Sequence, residues 1–239
     1  MIGITNFDYS EHRELLENFF QLARSGKLLP GDPPGHTDGW GIGFYANGTA
    51  AVHKSGGCLL DEKDDYFSSL ASIGQSPVLI VHLRKSAWPA TTTAANAHPF
   101  AMGNALFAHN GTVRDYKSLI KDITLPSVRP LDTALDTEIF FLHVMSMSGG
   151  GEMSDGFRKS TSHIRKHNTF SSLTSIFSNG KHLYGYRDYE KYDDYYTLYH
   201  AAQRNSALLS SEPVSDLLSW KPIGRQEFVV LGDFSPQER

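Results

Sequence analysis

Residues 78–84 have the sequence Val78-Leu79-Ile80-Val81-His82-Leu83-Arg84, and the fold can be predicted outward from this segment. Its run of aliphatic, mostly β-branched residues is typical of a strand buried on both faces. The strand ends in a histidine and an arginine. A second apolar run, Ala105-Leu106-Phe107-Ala108, ends in the same way at His109-Asn110-Gly111. Both strands are therefore expected to deliver polar residues at their carboxyl ends, where chemistry could take place.

Helices and further strands are predicted on both sides of these two segments. Met1 to Ile4 forms a short buried strand, and the helix after it has Asp8 and Ser10 as N-cap candidates and ends at Gly26. The other predictions are a hairpin over 40–53, helices over 61–73, 133–147 and 157–167, and strands over 173–177, 183–187, 195–200, 207–209 and 228–231. Strand-rich ends with helices between them predict a layered α+β domain.

The charge, hydropathy and cysteine content of the chain limit the classes of function that it can have. The 239 residues contain 22 Lys or Arg and 26 Asp or Glu, and the net charge of −4 argues against nucleic acid or an anionic membrane as the main partner. No segment approaches the roughly 18 apolar residues of a membrane span, and no signal peptide is evident, so we expect a cytoplasmic protein. The single cysteine, Cys58, excludes an intrachain disulfide. Since neither repeat nor linker interrupts the chain, residues 1–239 are predicted to form one domain.

Two of the polar strand ends suggest parts of a catalytic site. Arg84 presents a guanidinium fork to which a carboxylate could bind in bidentate fashion, or it is satisfied by local carbonyls or an acidic residue. Asn110 and Gly111 together offer a side-chain amide and an accessible backbone N–H, as a developing oxyanion requires. The same dipeptide is also common as a simple turn.

Asp136 and Glu138 are two residues apart on a predicted helix, so their side chains point in different directions. We expect one to face a pocket and the other to face solvent. Asp136 could pair with a substrate ammonium group, or it is a helix-start carboxylate that the helix dipole favours.

The sequence gives little support for metal binding, a reactive thiol or nucleic-acid binding. The histidines near the expected site are His36, His82, His98 and His109. Their spacing matches no metal-ligand pattern, so we expect neither a metal nor another cofactor. Cys58 is expected to be an inert thiol, and the tyrosines over 184–199 are expected to form a hairpin, because acidic residues between them would repel a nucleic acid.

Taken in chain order, six segments resemble the class II glutamine amidotransferases, whose domain belongs to the amino-terminal-nucleophile hydrolases. The segments are Asp38-Gly39-Trp40-Gly41, His82-Leu83-Arg84-Lys85-Ser86, Asn96-Ala97-His98-Pro99-Phe100, His109-Asn110-Gly111-Thr112-Val113, Asp136-Thr137-Glu138 and Ser210-Ser211-Glu212-Pro213. Each motif is modest alone, but together and in this order they cover nearly the whole chain. The chain is most similar to the small stand-alone members, so a partner synthase is expected to be a separate subunit.

The resemblance implies a four-layer α/β/β/α sandwich, with two antiparallel sheets between layers of helices, and a glutaminase half-reaction. In such enzymes an amino-terminal cysteine thiolate attacks the side-chain amide of glutamine, ammonia leaves, and water clears the γ-glutamyl thioester. Arg84 would then hold the substrate carboxylate and Asp136 its ammonium group, while Asn110 and Gly111 would form the oxyanion hole. The further substrate-binding residues that the resemblance implies are Trp40, Gly41 and His98.

The sequence departs from the family at its amino terminus. Residue two is Ile2, and no cysteine lies nearby. Relatives commonly begin Met-Cys-Arg-Met-(Leu/Ile)-Gly, and aligning Gly3 with that glycine places the cysteine two residues before Met1. We therefore expect a short natural extension that carries the nucleophile, and binding of glutamine without turnover by residues 1–239. The alternative is a catalytically inactive homologue that binds glutamine or a γ-glutamyl compound as a sensor or subunit.

Overall fold

The computed structural model describes residues 1–88 and 90–232. These residues contain two antiparallel sheets and four α-helices. In chain order the strands are β1 (Ile2–Asp8), β2 (Trp40–Ala46), β3 (Thr49–Ser55), β4 (Gln75–Leu83), β5 (Phe100–Met102), β6 (Ala105–Asn110), β7 (Thr174–Ser178), β8 (Leu183–Arg187), β9 (Tyr199–Gln203), β10 (Ser206–Ser210), β11 (Lys221–Pro222) and β12 (Glu227–Leu231). The helices are α1 (Tyr9–Ser25), α2 (Lys63–Ile73), α3 (Asp136–Ser148) and α4 (Met153–His167). Short 3₁₀ segments cover Ala94–Asn96, Tyr116–Asp122 and Leu131–Thr133.

The first sheet has seven strands in the order β11-β9-β10-β1-β4-β2-β3, and the second has five in the order β12-β8-β7-β6-β5. Because β1 is antiparallel to both of its neighbours, Ile2 lies opposite Val81 on β4 and opposite Ser210 on β10. The start of β1 therefore meets the ends of β4 and β10. This register brings the start of β1 close to the residues that follow β4 and β10, which form part of the candidate active site described below.

Three apolar cores separate four layers. One core packs α1 and α2 onto the first sheet, a second packs α3 and α4 onto the other sheet, and a third lies between the two sheets. The central core includes Ile80 of β4, Leu106 of β6 and Leu209 of β10. The layers therefore run α/β/β/α, which confirms the predicted fold class.

Helix α1 shows how the local sequence signals act. The Asp8 carboxylate accepts a hydrogen bond of 2.8 Å from the backbone N–H of Ser10, which caps the helix. At the other end, the Gly26 N–H donates to the Leu22 carbonyl. Both predicted ends are confirmed. None of the helices in residues 1–88 and 90–232 has the length and apolar character needed to cross a membrane.

Several predicted boundaries need correction. Helix α3 begins at Asp136, because Leu131–Thr133 forms a separate 3₁₀ turn, and α4 begins earlier than predicted, at Met153. Strands β5 and β11 were not predicted, since they have only three and two residues. Such short edge strands carry too little periodicity to be recognised.

The tyrosine-rich segment is not a hairpin, contrary to the prediction. Strand β8 belongs to the second sheet and β9 to the first, so the chain passes from one sheet to the other between them. The N–H groups of Tyr195 and Tyr196 both donate to the Tyr192 carbonyl, which makes a turn where a strand was predicted to begin. Strand β9 starts only at Tyr199.

Candidate active site

A cavity of about 80 Å³ lies where the start of β1 meets the ends of β4 and β6. Most of the residues proposed from the sequence line it. Those residues are Arg84, His98, Asn110, Gly111 and Asp136, and Met1, His82, His109, Ser211 and Glu212 join them. The two sheets and the first turn of α3 therefore bring together segments that are far apart in the sequence.

Arg84 is buried just beyond the end of β4, with 4% of its surface exposed. Its Nη1 donates to the carbonyls of Asp38 and Thr91, at 3.2 and 3.1 Å. Its Nη2 donates to Ser86 Oγ at 2.9 Å and to Thr91 Oγ1 at 3.0 Å. The arginine is thus satisfied by local groups, as one of the two interpretations of the sequence expects, and it also borders the cavity.

Asp136 is the first residue of α3 and is also buried. Its Oδ2 accepts from the Val113 N–H at 2.9 Å, and its Oδ1 accepts from the Trp88 indole at 2.9 Å. Trp88 and the Arg84 partners Ser86 and Thr91 belong to one connection after β4. A ligand ammonium group at Asp136 would therefore compete with the indole N–H.

Asn110 is the last residue of β6, Gly111 follows it, and both line the cavity. Asn110 lies opposite Thr174 of β7, and within the described parts of the chain no group hydrogen-bonds to its side-chain amide. A Cβ atom at Gly111 would collide with the Ser172 carbonyl, so only glycine fits there. The amide and the glycine backbone thus stand side by side at the cavity.

The amino group of Met1 lies in the same cavity and donates to Ser211 Oγ at 2.9 Å. Burial lowers the pKa of this amine to about 5, although the charge of Glu212 opposes the shift.

Three buried histidines surround the cavity. His109 bonds to the Ser172 carbonyl through Nε2 at 2.8 Å and to Thr137 Oγ1 through Nδ1 at 3.1 Å. The rings of His82 and His98 are 4.4 Å apart, and within residues 1–88 and 90–232 neither Nδ1 has a partner. Burial lowers the pKa of all three imidazoles.

Trp40 and Gly41 do not line the cavity, which differs from their expected placement. Trp40 is fully buried in the core beneath α1 and α2, where its indole donates to Glu62 at 2.6 Å. Gly41 leaves room for the His98 carbonyl, which a Cβ atom would strike. Gly41 therefore packs against the backbone that carries His98 but does not line the cavity.

Glu138 does not face solvent, contrary to the sequence expectation. It is 9% exposed and pairs with Arg129, which also donates to the Asn96 side chain at 2.8 Å. The ion pair joins α3 to the segment that leads into His98.

Comparison with known proteins identifies the family. A family model described as class-II glutamine amidotransferases matches residues 18–206. The chain belongs to this family. A curated relative, an uncharacterized protein of Methanocaldococcus jannaschii, is 28% identical over 165 residues, which are 64% of this chain and 43% of the relative. The match therefore spans less than half of that protein's length.

Two solved structures share the fold. A glutamine aminotransferase class-II domain protein of Silicibacter pomeroyi aligns with a TM-score of 0.64 at 19% identity, over 81% of this chain and 87% of that one. A glutamine phosphoribosylpyrophosphate amidotransferase of B. subtilis, complexed with ADP and GMP, aligns with a TM-score of 0.68 at 17% identity, over 97% of this chain and 47% of that one.

Three cavity residues have roles that sequence reasoning did not assign: Trp88, Ser211 and Glu212. Ser211 follows β10, and only the pairing of β1 with β10 brings it to Met1. Trp88 reaches Asp136 across 48 positions in the sequence. A weak signal for Ser211 and Glu212 was present, since they belong to a family-like segment.

Proposed function

We propose that this chain carries the substrate pocket of a glutaminase, which hydrolyses the side-chain amide of glutamine through a cysteine placed before Met1. The supporting observation is that Arg84 and Asp136 border the same cavity as Asn110 and Gly111. The first two suit the charged head of an amino acid, and the last two suit the amide that reacts. The family to which the chain belongs is consistent with this division of roles.

The head of the substrate would bind at Arg84 and Asp136. A guanidinium binds a carboxylate through parallel N–H groups, and a carboxylate accepts from an ammonium group. In the present conformation Ser86, Trp88 and Thr91 occupy these hydrogen-bonding positions. Substrate binding would therefore exchange those internal hydrogen bonds for bonds to the ligand.

Asn110 and Gly111 would stabilise the reaction intermediate. Attack on the amide carbon turns its carbonyl oxygen into an oxyanion, and preorganised donors at that point lower the barrier. The Asn110 amide and the Gly111 N–H lie at the cavity wall, where both could donate to one oxygen.

Strand β1 indicates where the nucleophile would lie. Met1 packs in the core between the sheets and Gly3 faces Leu183 and Ile176 there, whereas Ile2 belongs to the core beneath α1. Side chains alternate along a strand, so a residue two positions before Met1 would share the face of Met1. A cysteine at that position would therefore be expected to share the cavity that Met1 lines.

Binding without catalysis is the second candidate. Cys58 is the only cysteine in residues 1–239 and is not among the residues that line the cavity. A sensor or regulatory subunit would need Arg84 and Asp136 but would make no use of the oxyanion donors. Turnover by a cysteine-extended chain separates the two candidates.

The binding half of the proposal is tested by calorimetric titration of L-glutamine into residues 1–239. We expect one site per chain, weakened about 30-fold or more by either Arg84→Gln or Asp136→Asn, because each leaves a charge of the ligand unpaired. Arg13→Gln is the matched control, since Arg13 pairs with Glu17 on the exposed face of α1. Unchanged affinity in both site variants would contradict the proposed head-group contacts.

A further inference from the structure

A cluster of metal-ligating side chains lies away from the cavity, in the outer layer of α3 and α4. Asp122 ends a 3₁₀ segment, His143 is on α3 and His163 is on α4. One potential ligand atom from each residue lies within 4.8 Å of the other two. None of the three lines the candidate active site.

Two atoms of this cluster are buried without partners. His143 is fully buried, and its Nε2 lies 4.0 Å from Asp122 Oδ2. Within the described residues, neither atom has a hydrogen-bond partner. A separation of 4.0 Å is too long for a direct hydrogen bond, and buried polar atoms are normally satisfied. The gap between them therefore suits a bound group that both can contact.

The surroundings orient the imidazole for this purpose. His143 Nδ1 bonds to Ser160 Oγ at 2.7 Å, and when the Nδ1–H donates this bond, the lone pair of Nε2 points toward Asp122. Metal-bound histidines typically use their second ring nitrogen in this way. The His163 ring lies 5.2 Å from the His143 ring and completes the set.

The distances suit a transition metal ion. The three ligand atoms all lie within 4.8 Å of one another. An ion at the centre of such a triangle would therefore be at most about 2.8 Å from each ligand atom. Zinc bonds to histidine nitrogen and carboxylate oxygen are about 2.0–2.2 Å long, so small side-chain rotations complete the contact. The Asp122 side chain is 32% exposed, which gives an ion a path from solvent and leaves a fourth position for water.

We propose that Asp122, His143 and His163 form a zinc site that joins the 3₁₀ segment, α3 and α4. The site goes beyond the proposed glutaminase function and requires none of its residues. An ion bound there would stabilise the outer helical layer over the second sheet.

Titration of tag-free, chelator-treated protein with ZnCl₂ tests the site. We expect one Zn²⁺ per chain, and a melting temperature about 5–10 °C higher when free zinc exceeds the dissociation constant about 100-fold. Asp122→Asn and His163→Gln are preferred to a change at buried His143, because their side chains are only partly buried. Each is expected to weaken zinc affinity at least about tenfold.

His167→Gln serves as the matched control, because this exposed histidine lies one turn after His163 with its ring 4.7 Å away. It is expected to retain zinc affinity. Binding of Co²⁺ should give visible d–d bands without a thiolate charge-transfer band, since Cys58 takes no part. No one-to-one zinc binding by the unchanged protein would overturn the proposal, as would equal affinity in both ligand variants.

Discussion

At the scale of single residues, Asn110 carries the clearest chemical expectation. Its amide lies at the cavity wall beside Gly111, with no described residue bonded to it. In a chain extended by Met-Cys-Arg, Asn110→Ala should lower kcat for glutamine hydrolysis by about 10²–10³, since one oxyanion donor is lost. Steady-state ammonia release measures this. A large loss of glutamine affinity with unchanged kcat would contradict the assigned role.

Gly111 is required by its close contact with Ser172, which lies just before β7. A Cβ atom there would meet the Ser172 carbonyl and His109 Nε2, and neither backbone nor buried ring can move freely away. We expect Gly111→Ala to reduce the free energy of unfolding by about 1–3 kcal/mol, as overpacking does. Urea denaturation checks this, with Gly151→Ala as control because only the Ser148 carbonyl, at 3.2 Å, is near that position. Equal losses in both variants would contradict the argument.

Much of the candidate site could be predicted at this scale. Arg84, Asn110 and Gly111 follow apolar strands, and a strand end is visible in a sequence. The two carboxylates were harder to place, because Glu138 is kept from solvent by Arg129, which lies outside any recognised motif. Such long-range pairing leaves no periodic signal.

At the scale of elements, we expect the connection after β4 to respond most directly to a bound amino acid. Ser86 and Thr91 bond to Arg84, and Trp88 bonds to Asp136, so binding of an amino acid should move the Trp88 indole. We expect L-glutamine to change the tryptophan fluorescence of residues 1–239, and Trp88→Phe to abolish that change.

Trp220→Phe is the control for this experiment, since that indole donates to the Ser215 carbonyl and is not among the cavity residues. It should keep the full response. A response that survives Trp88→Phe and disappears in Trp220→Phe would show that the ligand acts elsewhere.

Elements were predictable where local signals agree. Helix α1 has a capping aspartate, an apolar face and a terminal glycine, and all three act as expected. The segment between β8 and β9 has the composition of a hairpin, yet it passes between sheets, because each strand finds its partner in a different layer. Sheet membership is a tertiary property that strand propensity does not contain.

At the scale of the whole molecule, buried histidines should make stability depend on pH. Burial lowers the pKa of His82 and His98 well below the usual value. Below pH 6.5 the unfolded chain therefore binds more protons than the folded one, and stability falls with falling pH. Each histidine that stays neutral at pH 5.5 is expected to lower the free energy of unfolding by on the order of 1 kcal/mol.

Urea denaturation at pH 7.5 and 5.5 measures this loss. His98→Asn should reduce the difference in unfolding free energy between the two pH values by on the order of 1 kcal/mol, whatever its effect on stability at pH 7.5. An unchanged difference would show that His98 is not kept neutral in the folded state.

The four-layer architecture was predictable from the resemblance, and the order of motifs carried that prediction. The composition of the cavity was not, because Ser211 reaches Met1 only through pairing across 210 positions. A sequence gives no direct measure of such pairings. The chemistry expected of the cavity therefore depends on β1 lying between β4 and β10.

Ammonia release from L-glutamine by a chain that carries Met-Cys-Arg before Met1, with the initiator methionine removed, is the most direct test of the proposed glutaminase site. Residues 1–239 and a matched Met-Ser-Arg extension are the controls. We expect steady ammonia release by the cysteine-extended chain and none above background by either control. A folded, glutamine-binding, cysteine-extended chain that releases no ammonia would contradict this expectation, as would equal release by all three.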